Sequence, residues 1–265
     1  LAEKVVPALG KDMLCLADRF FPSYKLWQMA AQTGAALLWR TRHNARLDVD
    51  QRLADGSYLS RIYASTSDRR RRRNGIVVRA VDYRLDGVPG AEPIYRLITT
   101  ILEEKLAPAQ ELAALYHERW EIETALDELK THLRGAQIVL RSKTPELVRQ
   151  EFFGLLMAHF AIRGLMHEAA LQAGEDPDRL SFLHAVRVVQ RKMTRSGAIP
   201  PRNKKALAVL HKAVLAEILQ DRVVPSRNRL NPRGVKRKMS NYNLRPRGRQ
   251  PTRRIDYAQR IEIVK

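Results

Sequence analysis

Cysteine is almost missing: Cys15 is the only one in 265 residues. A disulfide framework and a cysteine-rich zinc site are therefore excluded, and this usage fits a reducing compartment. No apolar run approaches the ~20 residues of a membrane-spanning helix. The first residues also lack the pattern of a secretory signal. Acid is scarce, with 28 Asp+Glu against 48 Lys+Arg, a formal net charge of +20 and a pI near 10.6. Residues 225–254 hold no acid at all against 11 Lys+Arg, and they include Pro225, Pro232, Pro246 and Pro251. That stretch reads as a disordered or extended basic tail. What is present in quantity is apolar, 45% of the chain, which excludes wholesale disorder. The charge points to a polyanionic partner, in the first place nucleic acid.

The apolar patterning gives an order of elements. Residues 13–17 form a short buried strand, 24–33 a helix stopped at Gly34, and 35–39 a second strand. A strand–helix–strand unit of this spacing argues for an α/β sheet. From residue 41 the period changes to two. Asp55-Gly56 marks a tight hairpin before 58–63, and 76–85 and 94–102 read as further strands. Beyond residue 105 the chain reads as helical: 108–134, then 144–173 opening on Thr144-Pro145, then 176–193 and 204–220. The segment 144–173 is apolar on most faces and is expected to be buried. Arg69, Arg70, Arg71, Arg72 and Arg73 make a second basic cluster. It is either a solvated loop or one that grips phosphates through guanidinium forks.

Two places invite chemistry. Asp18 follows five apolar residues and is expected at the C-terminal end of a buried strand, where α/β sheets collect ligands; a cap or an ion pair with Arg19 is the plainer reading. On a regular helix over 108–134, Tyr116, Arg119, Glu123 and Lys130 share an arc of about 60°, beside an apolar stripe of Leu115, Ile122, Leu126, Leu129 and Leu133. Cations flanking a carboxylate would hold it ionised and could grip phosphates, although Arg119–Glu123 is also an ordinary i,i+4 pair. His117, His132, His159, His167, His184 and His211 are scattered with no ligand spacing, and Trp27, Trp39 and Trp120 read as core.

The spacing Tyr116-x2-Arg119-x3-Glu123-x6-Lys130 resembles the Tyr-Arg-Glu-Lys signature of insertion-sequence transposases of the DDE superfamily, the insertion-sequence "four" family. Residues 16–24, Leu-Ala-Asp-Arg-Phe-Phe-Pro-Ser-Tyr, are similar to that family's segment around its second catalytic aspartate, with Phe20 where the family often has Gly. The resemblance runs from the start to about residue 170. It implies an α/β fold: an incomplete ribonuclease-H-like core (1–40), an all-β insertion (41–105), a catalytic helix returning to the core (106–140), a helical region (141–220) and the basic tail (221–265). It implies a DNA transposase that cleaves phosphodiesters and transfers strands at insertion-sequence ends. Asp18 and Glu123 would be its catalytic and metal-binding carboxylates, and Mg²⁺ (or Mn²⁺) a two-metal cofactor. Tyr116, Arg119 and Lys130 would hold phosphates, joined by Arg69 to Arg73. The partners implied are double-stranded DNA, no membrane and a homodimer of the full-length protein, in the bacterial cytoplasm at the nucleoid.

The family's first aspartate has no counterpart before Asp18, where Glu3 and Asp12 are the only acids, and the chain opens on Leu1. The expectation is a C-terminal fragment, inactive as it stands. The alternative is a non-enzymatic basic protein that binds DNA or RNA.

Overall fold

The computed structural model describes residues 1–88, 91–133, 140, 142–196, 203–223, the pairs 229–230, 235–236, 243–244 and 253–254, and 256–264. The chain divides into two compact units, Leu1–Arg119 with Ile255–Lys265, and Trp120–Arg254.

The first unit is an α/β arrangement around one mixed sheet. A short helix Ala2–Val5 (α1) precedes Leu14–Ala17 (β1), Tyr24–Gln32 (α2) and Ala36–Thr41 (β2). Ser23 starts α2 by accepting from the Leu26 amide, a side-chain cap of the usual kind. β1 and β2 pair in parallel, as the strand–helix–strand reading requires. Gln51–Arg52 (β3), Tyr58–Ile62 (β4), Ile76–Leu85 (β5) and Tyr95–Thr99 (β6) follow, with Thr66–Arg71 (α3) between β4 and β5. The strand order is β1-β2-β6-β5-β4-β3. The strands of region 41–105 thus continue the sheet of 1–40, because β6 pairs antiparallel with β2, Leu38 opposite Thr99.

Alternation along each strand builds two apolar faces. Trp27 and Ala30 of α2 pack on Leu37, Trp39, Val78, Ala80 and Ile98. The two indoles meet edge to face at 5.1 Å, which bears out both as core. The other face, with Leu38, Val81, Tyr83 and Leu97, is covered by Leu112, Ala113 and Tyr116 of Ala109–His117 (α4).

The C-terminal end corrects the expectation of a disordered tail to residue 265. Ile261–Ile263 (here β11, since four short strands of the second unit precede it) pairs antiparallel with β5, Ile261 opposite Leu85. Ile261 is buried, and the Gln110 side-chain amide donates to the Ala258 and Ile261 carbonyls. Two isoleucines at period two are enough to make a strand where an unfilled sheet edge awaits them.

The second unit is helical. Glu121–Asp127 (α5) runs into a π-helical segment, Glu128–Leu133. Pro145–Ala173 (α6), Phe182–Ser196 (α7) and Lys204–Ile218 (α8) share a core of Ile162, Met166, Ala169, Leu180, Val188, Leu215 and Ile218. Here too the sequence expectation is corrected: α6 buries one face only. Phe153, Met157, Phe160 and Leu171 are 57–69% exposed. Arg229–Leu230 (β7) pairs with Arg253–Arg254 (β10), and Val235–Lys236 (β8) with Asn243–Leu244 (β9). The rest of 225–254, where the basic tail is expected, lies outside the described residues, as does the side chain of Trp120.

Candidate active site

Asp18 stands where the sequence puts it, directly after β1 and half-buried. Its Oδ1 accepts from the Arg19 amide at 2.7 Å, and its carbonyl accepts from the Phe21 amide, which turns the chain sharply away from the strand. Arg19 and Arg40 both reach Glu92, at 2.9 and 2.5 Å, and the Arg40 guanidinium lies 4.6 Å from the Tyr95 ring centre.

The last turn of α4 brings Tyr116 to the same strand end. Its phenol is buried and donates to the Ala17 carbonyl at 3.3 Å. Burial pushes its pKa well up, the Asp18 charge pushes it the same way, and Arg119 opposes both. Arg119, in the 3-10 turn Glu118–Trp120, lies 5.9 Å from the Tyr116 ring centre. Asp18, Tyr116 and Arg119 therefore form one cluster within the first unit. A carboxylate beside guanidinium groups is an arrangement that could receive a phosphodiester, whose charge guanidinium forks match.

Glu123 and Lys130 belong to the second unit, Glu123 on α5 and Lys130 in the π-helical segment, and both are exposed. The regular helix expected over 108–134 is broken by the 3-10 turn and the π segment. Neither keeps 100° per residue, so the predicted arc and stripe do not survive. Ile122 and Leu126, expected as core, are 62% and 45% exposed. The five arginines form helix α3 and its end rather than a loop. Arg69 is half-buried against Asp48 at 3.2 Å, while Arg70, Arg71, Arg72 and Arg73 are exposed.

Among the described residues, no three or more His, Cys, Asp or Glu side chains gather as a ligand set. Asp18 is the carboxylate of the first unit's cluster and Glu123 lies in the other unit. Among the described residues, neither unit by itself gathers the several carboxylates that offset the mutual repulsion of two divalent cations.

Two features escaped the sequence reading. Glu128 is 5% exposed, its carboxylate held by Arg163 at 2.6 and 3.0 Å and by His159 at 2.8 Å. His117 is clasped by aromatics, stacked on Tyr257 at 5.0 Å and edge-on to Tyr83 at 5.9 Å. Burial pushes the His117 imidazole down to about 4, helped by Arg40 and Arg119. An unfolded histidine binds its proton near 6.5, so unfolding takes up a proton between these values. Stability of the first unit should fall as pH drops from about 6.5 to about 4, then level off. In His117→Gln this share of the decline should be absent, as melting temperatures measured across that window will show.

Over residues 1–161 the chain matches the family described as Transposase DDE domain. The chain belongs to the DDE transposase family. Among the relatives of this chain is the Transposase InsG for insertion sequence element IS4 of Escherichia coli strain K12, 30% identical over 254 residues. That alignment covers 94% of the chain and 56% of the relative, so the chain spans little more than half the length of the curated relative it matches. The branch is the one that the Tyr-Arg-Glu-Lys spacing resembles. No helix among the described residues is long and apolar enough to cross a membrane.

Proposed function

We propose that this chain acts in DNA transposition, binding insertion-sequence ends and taking part in phosphodiester cleavage and strand transfer. The observation that carries the reading is the cluster at the end of β1, where Asp18, Tyr116 and Arg119 meet. In this reading Arg119 holds a DNA phosphate beside Asp18, while the buried Tyr116 keeps its proton on the Ala17 carbonyl and fixes the end of β1 rather than touching DNA. Glu123 and Lys130 keep the roles that the family signature gives their positions, a metal carboxylate and a phosphate contact, and the exposed Arg70 to Arg73 grip the backbone without regard to sequence. Mg²⁺ enters through the family: Asp18 and Glu123 are the carboxylates that would hold it. The parallel pairing of β1 and β2, with an acid at the strand end, supports a ribonuclease-H-like core. The site of action is then bacterial DNA in the cytoplasm.

The test is duplex affinity of the 265-residue chain as a function of salt. Removing one phosphate contact from B-DNA should shallow the log K against log [salt] slope by about 0.9. Arg119→Ala should show that change, with affinity lost most at low salt. Asp18→Asn should raise affinity by removing a negative charge from the same place. Slopes and affinities unchanged in both variants would sink the assignment of this cluster to DNA.

A further inference from the structure

Arg79 is a guanidinium with no exposed surface at all, in the middle of β5. Its Nε donates to Ser57 Oγ at 2.8 Å, and its Nη1 to the Glu103 and Ala107 carbonyls at 3.2 and 2.7 Å. Its Nη2 meets Asp55 Oδ2 at 2.5 Å. Asp55 belongs to the Asp55-Gly56 hairpin, and its Oδ1 accepts from the Ser57 amide and hydroxyl. The Oδ2 atom also accepts from the Ala109 amide at 2.7 Å. Ala109 is the first residue of α4, and Pro108 before it supplies no side-chain cap. The cap of α4 therefore comes from a carboxylate 54 residues upstream. A negative charge there also complements the helix dipole.

We propose that Asp55 and Arg79 are positioning residues for Tyr116 and Arg119. α4 has nine residues, so its two ends are about 13 Å apart, too short to bend between them. Fixing its first amide and the carbonyls of Glu103 and Ala107 sets where its last turn falls. That last turn places the Tyr116 phenol on the Ala17 carbonyl and leads directly to Arg119. A buried ion pair is a poor way to gain stability, since well-packed apolar residues commonly do as well or better. What it supplies here is direction: the rigid guanidinium fork and the carboxylate's two fixed oxygens leave α4 one position along its axis. Burial raises the Asp55 carboxyl pKa, but the Ser57 and Ala109 hydrogen bonds and the Arg79 charge outweigh it and hold the group below its ordinary range. The carboxylate therefore stays ionised and keeps its cap at neutral pH.

This rests on the reading of Arg119 as a DNA contact, and two readouts separate the two claims. The first needs no DNA. In Asp55→Asn, ¹³C and ¹⁵N resonances of the Tyr116 ring and the Arg119 guanidinium should move, while those of β1 and β2 core residues stay. Unmoved Tyr116 and Arg119 signals overturn the proposal. The second is a double-mutant cycle on duplex affinity. Asp55→Asn should weaken binding about fivefold in the natural background and leave it unchanged in Arg119→Ala, because neighbours acting through one contact are not additive. Equal losses in both backgrounds overturn the positioning role. No loss from Arg119→Ala itself overturns the DNA reading and leaves the resonance test to decide. If Asp55→Asn does not fold, Ser57→Ala removes one arm of the network and serves in its place. Arg79→Lys, which keeps the charge but loses the fork, should shift the same resonances.

Discussion

Arg163→Ala should lower the unfolding free energy of the second unit by about 3–5 kcal/mol, a large share of what holds a domain together. The reason is the site it leaves behind. Glu128 is 5% exposed and takes two hydrogen bonds from Arg163, so its carboxylate would remain buried beside His159 without its main counter-charge. Arg163 also lies 3.6 Å from Asp178, and its guanidinium lies 5.8 Å from the Phe182 ring centre; the substitution removes both interactions. Glu128→Gln should cost less, because an amide keeps hydrogen-bonding capacity without the charge. Hydrogen exchange of the α6, α7 and α8 amides is the measurement, since it reads the second unit alone. A loss under about 1 kcal/mol would mean that water reaches Glu128 freely.

Removal of residues 256–265 should destabilise the first unit by about 4 kcal/mol, taking two or three apolar side chains at the lower end of the usual range. Ile261 leaves the core, the stacking of Tyr257 on His117 is lost, and the Arg84–Glu262 pair disappears. The backbone suffers too. The Val264 amide donates to the Asp82 carbonyl and the Asp86 amide to the Arg260 carbonyl, so truncation bares the second half of one β5 edge. An unpaired edge of that length invites association. Light scattering should rise on warming the truncated chain, and exchange in β5 should quicken at residues 82–86. Unchanged melting and exchange would show that the segment only rests on the sheet.

The first unit was largely legible because its strands are apolar runs with clear stops. The segments 13–17, 24–33, 35–39 and 76–85 appear as β1, α2, β2 and β5 within two residues. Periodicity does not say which strand pairs with which, and for that reason the union of 41–105 with the first sheet had to come from the β2–β6 register. Asp18 was legible from the run before it. Its partnership with Tyr116 and Arg119 came through the family spacing, and the structure gives that spacing a cause in the last turn of α4. Glu128 was hidden by the assumption of a uniform helix, which a π segment violates. Arg79 was hidden in plain view, a charge inside a strand otherwise reading as buried, and Asp55 because a turn explained it fully.

The return of residues 256–264 to the first sheet has a consequence for synthesis. Chains emerge from the ribosome at roughly 5–20 residues per second, and domains fold as they become complete. Translation of the second unit, Trp120–Arg254, therefore separates the two parts of the first by about ten seconds. During that interval the helices of the second unit can fold while the first waits with half an edge of β5 open. The unit encoded first is finished last. A chaperone that shields nascent strands has its natural client in that waiting sheet, and slow codons placed before residue 256 would lengthen its exposure.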